Sequence, residues 1–208
     1  MTTSDNPVKG QKRTRMSPQA RRRQLVDFGR ELWRQQPLES VTIEEVAEVA
    51  GVSRALVFHY FDSKQDFQRA LVRAEAEVLL ERTAPDESCD DTLAILMSAL
   101  TNYVDYVVEN EAGFIGVLRG AANADPAIRA VADATRSEMM DRIIRYGVDL
   151  DFRDGPAVRM AVAGWMAFVE ETVIRWMSDP VLTRDQVLVL LAGSLPALAG
   201  IAADLAAD

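Results

Sequence analysis

The order of apolar and polar positions reads as helix almost from end to end. Leu25, Phe28, Leu32 and Trp33 recur at helical spacing after Ser17-Pro18, an N-cap and first helical position, and Gln36-Pro37 ends that helix. Val46, Ala47 and Ala50 repeat the period after Thr42, with Glu45 placed to complete a capping box. Gly51 stands where this helix needs a left-handed residue, Val52 is the buried residue of the turn, and Ser53 caps a second helix from Arg54 to about Tyr60. Ser63 and Asp66 predict another capping box, opening a stripe of Phe67, Ala70, Leu71, Ala74 and Val78 that stops before Pro85.

Beyond an acidic loop over 85–91 no strand alternation occurs. Helices are expected over about 91–109, with Leu93, Leu96, Leu100, Tyr103, Val104 and Val107 inward, over 111–122, and from Asp125-Pro126 to about Gly147. The third carries Ile128, Val131, Met139, Ile143 and Tyr146. After a second acidic loop, 149–154, follow a long helix from Pro156 to Met177 and a last one capped by Thr183. The chain is therefore all-α: an arm over 1–16 without periodicity, a helix-turn-helix domain over 17–70, and a larger helical domain over 71–208.

The last helix has no charge from Val187 to Ala203, the short limit of a transmembrane span of roughly 17–25 residues. Ser194, Pro196, two glycines and the lack of a flanking basic cluster argue against a membrane. A soluble helix apolar all round must be buried by its own domain and by a partner. A two-fold homodimer is expected, with Val187, Leu191, Gly193, Ser194, Ala197, Gly200 and Ile201 of this helix joined by Val162 and Val169 of the Pro156–Met177 helix in a four-helix interface.

Composition is that of a soluble globular protein, 49% hydrophobic and 26% charged. A lone cysteine, Cys89, excludes an internal disulfide and a cysteine-rich metal site, a single histidine, His59, argues against a histidine-based zinc site, and no metal is expected. No nucleophile–base pair or phosphate-binding glycine loop stands out, so neither catalytic residues nor a cofactor are expected. The first 24 residues hold no apolar run, which makes the cytoplasm the expected compartment. They do hold seven cations, Lys9, Lys12, Arg13, Arg15 and Arg21 to Arg23, against Asp5 alone. With −9 overall, the other 184 residues carry −15, so a basic arm precedes an acidic body. That distribution suits attachment to phosphate through one end.

The corner at Gly51 tells where that attachment is specific. In a helix-turn-helix the second helix enters the major groove, and Arg54 in its first turn is a partner for guanine O6 and N7. Arg54 and Ala55 are the candidate base contacts; Thr42, Ser53, His59, Tyr60 and Lys64 are candidates for phosphate, with Phe58 among them on the same helix. Thr42-Ile43, Glu45-Val46-Ala47, Ala50-Gly51-Val52-Ser53, Phe58-His59-Tyr60-Phe61 and Ser63-Lys64 together resemble the signature of the tetracycline-repressor (TetR) family of transcriptional regulators. One departure stands out: Phe58 replaces a tyrosine that the family uses on a phosphate, which shifts the anchoring to His59 or Tyr60.

The resemblance implies a repressor whose C-terminal domain binds a small molecule and dimerises, releasing a palindromic double-stranded operator. Met97, Tyr103, Tyr106, Phe114, Met139, Trp165 and Phe168 are the candidate cavity residues, with Glu170 to orient a polar end. Their polar groups are few, which suits a small hydrophobic effector. The other readings are a constitutive DNA-binding protein with a solid core and an enzyme without a recognisable catalytic motif.

Overall fold

The structure, a computed structural model, describes residues 16–147 and 154–205. The basic arm, Met16 apart, and the second acidic loop, Asp154 apart, lie outside the described residues. Among the described residues there are nine α-helices and no strand. In chain order they are α1 (Pro18–Trp33), α2 (Ile43–Val49), α3 (Arg54–Tyr60), α4 (Lys64–Arg82), α5 (Thr92–Glu109), α6 (Glu111–Arg119), α7 (Pro126–Tyr146), α8 (Pro156–Ser178) and α9 (Arg184–Leu205). Short 3-10 helices, Leu38–Ser40 and Ala121–Ala124, precede α2 and α7.

Local chemistry sets the boundaries. Ser17 caps α1 by accepting from the Ala20 amide, and Thr42 and Glu45 form the reciprocal box that starts α2. Gly51, at φ +63°, makes the turn, and Ser53 accepts from the Leu56 amide to start α3. The box expected at Ser63 is only half present: its hydroxyl accepts from Asp66 N–H, but the Asp66 carboxylate turns to the Asp62 amide. The helix expected over 111–122 breaks at Gly120, whose extended backbone packs on α6 so closely that a Cβ would lie 2.6 Å from the Gly116 carbonyl oxygen. Leu93, expected inward, is exposed in the first turn of α5, ahead of where the neighbouring helices cover it.

Two apolar cores result. One gathers Leu25, Val26 and Trp33 of α1, Val46 and Ala47 of α2, Val57 of α3, and Phe67 and Leu71 of α4. Phe61 stands edge-on to Phe67 within it, and Ala122 and Ile128 enter from beyond the boundary read at residue 70. The other is built by α5, α7, α8 and α9 around Val104, Val162, Trp165 and Leu191, and Leu79 of α4 belongs to it. Helix α4 thus runs through both. Between them its Glu75, only 8% exposed, accepts from Arg30 of α1 at 2.7 Å and from the Tyr106 hydroxyl of α5 at 3.0 Å. Burial works against the Arg30 charge, but the bond and attraction of Glu75 outweigh it and raise the guanidinium pKa. A charged pair and a phenol therefore tie α1, α4 and α5 together where the cores meet.

Candidate nucleic-acid interface and the cavities behind it

Helix α3 is held from beneath by Val57, which is fully buried, while Arg54, Ala55, Phe58 and His59 all face solvent. His59 and Tyr60 stand ring-edge to ring-face, 5.1 Å between centroids, and Tyr60 is half-buried on the first core. Arg54 is ion-paired with Glu44 of α2, both side chains more than half exposed. Arg22 of α1 lies over the Phe61 ring at 4.7 Å, so α1 brings a cation to the base of α3.

Three of the candidate phosphate ligands are already engaged. The Thr42 hydroxyl accepts from the Glu45 amide and donates to its carboxylate at 2.8 Å, which holds that carboxyl below the usual range. Ser53 Oγ takes the Leu56 amide, and Lys64 Nζ donates to the Glu39 carbonyl at 2.5 Å. Thr42 spends its proton as well as a lone pair inside its cap and has little left for phosphate, whereas Ser53 only accepts and keeps its O–H to donate. Arg54, Ala55, Phe58 and His59 are the candidates that the fold leaves free of core or capping duty.

Two cavities open behind the helix-turn-helix, one within the helical domain and one where it meets α1. The first, about 110 Å³, is walled mainly by Ile95, Leu96, Leu100, Ile143, Trp165, Met166, Val169 and Leu195. The second, about 120 Å³, lies between α1, α4, α5, α6 and α7, with Trp33, Val72, Leu79, Tyr106, Phe114 and Val117 in its wall. Tyr103, Met139 and Glu170 line both. Of the residues read from the sequence, Trp165 belongs to the first cavity, Tyr106 and Phe114 to the second. Met97 packs against the core without lining either, and Phe168 is 37% exposed on the outer side of α8. The Trp165 indole is not a spare donor, since it donates to the Leu191 carbonyl and to Ser194 Oγ. Glu170 is bound by Arg136 of α7 at 2.7 Å, while Glu171 takes Arg175 and Arg119 outside. Trp33 is among the cavity residues that the sequence did not mark: its place on the stripe of α1 marked it as core only. Among the described residues no group of three or more His, Cys, Asp and Glu is placed to hold a metal.

A third surface lies on α8 and α9. Val162, Val169, Val187 and Leu191, expected at a dimer contact, are buried in the second core of their own chain, because they lie on the stripe where α8 and α9 meet. Ser194 is half-buried and engaged by Trp165. Gly193, Ala197, Gly200 and Ile201 do face outward, beside Val189, Leu190, Leu198 and Leu205. Helix α8 continues that apolar face with Met160, Gly164 and Phe168. Helix α9 is also long and apolar enough to cross a membrane, but its inner side packs on α5 and α8.

Residues 25–71 match the family model described as bacterial regulatory proteins, tetR family, and residues 93–197 match that of tetracyclin repressor-like C-terminal domains. No curated protein matches the chain. Among solved structures, a tetR-family transcriptional regulator from Streptomyces coelicolor is similar at 27% identity, with TM-score 0.79 over 91% of this chain and 85% of the other. A regulator from a Rhodococcus species shares the fold at 20% identity and TM-score 0.69, covering 86% and 98%. So does FadR from Bacillus subtilis in complex with stearoyl-CoA, at 20% identity and TM-score 0.64, covering 85% and 97%.

Proposed function

The chain belongs to the tetR family of bacterial regulatory proteins, and from that premise we propose a dimeric repressor that leaves a palindromic operator when a small, largely apolar effector occupies its C-terminal domain. The observation that carries this reading is the join between the two halves. The same helices that wall the cavities also hold the DNA-binding module.

Helix α6 lines the second cavity, and its far end runs into the 3-10 helix Ala121–Ala124. The Ala122 amide there donates at 3.0 Å to Oε1 of Glu39, three residues before the Thr42 cap of α2. Arg69 of α4 grips Asp125 with two bonds, at 2.9 and 3.3 Å, and Asp125 caps α7. A ligand that wedges α6 and α7 apart would move these contacts, and with them α3. Binding must favour one spacing of the two recognition helices, since equal affinity for both states shifts nothing. DNA must then weaken the ligand by the factor with which the ligand weakens DNA. A solid core would favour a constitutive binder; the two cavities favour an effector, and a neighbour of the same fold was solved with an acyl thioester.

The experiment is selection of a duplex from a random library by the full chain, followed by titration of a hydrophobic-compound panel with and without that duplex. A palindromic site whose affinity falls steeply with salt, and a compound that lowers it reciprocally, are the expected results. A selected site without two-fold symmetry, or compounds that bind with no effect on DNA, would remove the repressor-and-effector reading.

A further inference from the structure

Two residues in the wall of the second cavity each bury a polar atom without a hydrogen-bond partner among the described residues: Trp33 its Nε1 and Tyr103 its hydroxyl. The two residues are 4% and 8% exposed. The Trp33 ring lies against α6 so closely that a Cβ on Gly113 would sit 3.3 Å from Nε1, and Tyr103 stands edge-on to Phe114 of the same helix. Buried polar groups are nearly always paired, so two orphans in one wall point to a group the folded chain does not supply. An indole N–H can only donate. Burial, and next to it the charge of Glu170, push the Tyr103 phenol well above its ordinary range, so it too keeps its proton. Both sites call for an acceptor.

The acceptor is not an anion. The arginines that reach the cavities are engaged: Arg30 by Glu75, Arg34 by Glu31, Arg136 by Glu170 and Arg142 by Glu138. A carboxylate or phosphate entering here would lose its water without gaining a free guanidinium. The remaining walls are mostly apolar, with Glu109, Asn110, Glu111 and Thr135 adding polar groups to the second cavity, and the two cavities share Tyr103, Met139 and the Arg136-bound Glu170. At about 110 and 120 Å³ they compare with a cavity of roughly 150 Å³ that accepts benzene, so the pair suits a body of two-ring size.

The geometry points to an electrically neutral, mostly apolar ligand lying across both cavities, whose carbonyl or ether oxygens accept from Trp33 and Tyr103. This rests on the effector reading above and deepens it in two ways. It fixes the chemical class, and it brings the ligand onto α1, a helix of the DNA-binding module, with no relay between.

Three probes of one shape separate the possibilities: 2-acetylnaphthalene, neutral with an acceptor; 2-naphthoate, charged; and 2-ethylnaphthalene, without an acceptor. Calorimetric titration of the full chain should give the ketone at least about tenfold tighter binding than either of the others. Trp33→Phe and Tyr103→Phe should each weaken the ketone about five- to tenfold and leave the ethyl compound unchanged. Tyr103→Phe should also raise the melting temperature of the free protein, because it removes an unpaired buried hydroxyl; a merely structural tyrosine would lower it. If ketone and ethyl compounds bind alike in all three proteins, the cavity takes apolar ligands but the acceptor inference is overturned. Tightest binding of naphthoate overturns the neutrality. If none of the three binds, this inference falls, and the effector reading falls with it only if the wider panel also gives nothing.

Discussion

Arg54 is the proposed base contact, and its ion pair with Glu44 defines how that proposal is tested. An ion pair as exposed as Arg54 with Glu44 contributes at most about 1 kcal/mol to folding, so it is not there as glue. On the proposed reading it holds the guanidinium beside α2 until an acceptor on DNA displaces the carboxylate. Arg54→Ala is expected to flatten preference at one base pair of each half-site, at a cost of about 1–3 kcal/mol. Glu44→Gln should tighten binding to all duplexes and reduce discrimination, because a released arginine takes any phosphate within reach. Competition binding against single-base variants measures both, and unchanged preferences for Arg54→Ala would rule out the base contact. Thr42 makes the opposite case. With its hydroxyl spent on Glu45, Thr42→Ala should lower stability by about 1 kcal/mol while the slope of affinity against salt stays as it was. A shallower slope would return Thr42 to the phosphates.

At the scale of elements, the corner of Ala121–Ala124 and the start of α7 is where the two halves are latched, and one of its groups titrates. The bond from Arg69, then the amide of Ala127, holds the Asp125 carboxyl below the usual aspartate range. A carboxylate depressed by folding adds stability that is complete above its unfolded value, roughly 3.9, and is lost as pH falls through the lower folded value. The stability gap between wild type and Asp125→Asn should therefore be constant near neutrality and close in acid, as read from urea midpoints over a pH series. A gap that persists unchanged into strong acid would mean that Asp125 is not the titrating latch. Helices, caps and the Gly51 turn were legible beforehand because each rests on residues within four positions of one another. The latch was not: Glu39 meets Ala122, and Arg69 meets Asp125, across more than fifty residues of chain. The same limit explains the cavity. Tyr103, Tyr106, Phe114 and Met139 could be named as large side chains of the right domain, whereas Trp33 reaches the cavity only because α1 crosses the end of α6.

For the molecule as a whole, the outer face of α8 and α9 must be reconciled with solubility. Beyond their own helix backbone and chain neighbours, Gly164, Gly193 and Gly200 have no atom within 4 Å of where a Cβ would be, and around them Met160, Val189, Ile201 and Leu205 are each at least 60% exposed. An apolar face this continuous, with small residues at its centre, suits close approach of the same two helices from a second copy. A palindromic site requires that such a pairing set two α3 helices on one side of the dimer, about one turn of DNA or 34–36 Å apart. Of the seven residues expected from the last helix, Gly193, Ala197, Gly200 and Ile201 face outward and remain candidates for the contact. Val187 and Leu191 face inward, and the approach runs along Leu190, Gly193, Ala197 and Ile201. A glutamate at Gly193 or Ala197 meets solvent in the separate chain and costs it little, yet in the dimer it becomes a buried, unpaired charge. Both variants should therefore keep their helix content and sediment as monomers, and they should lose most of their affinity for the full operator while still binding a half-site weakly. Unchanged dimers in sedimentation would place the interface elsewhere on the molecule, and the apolar face of α8 and α9 would then need another cover.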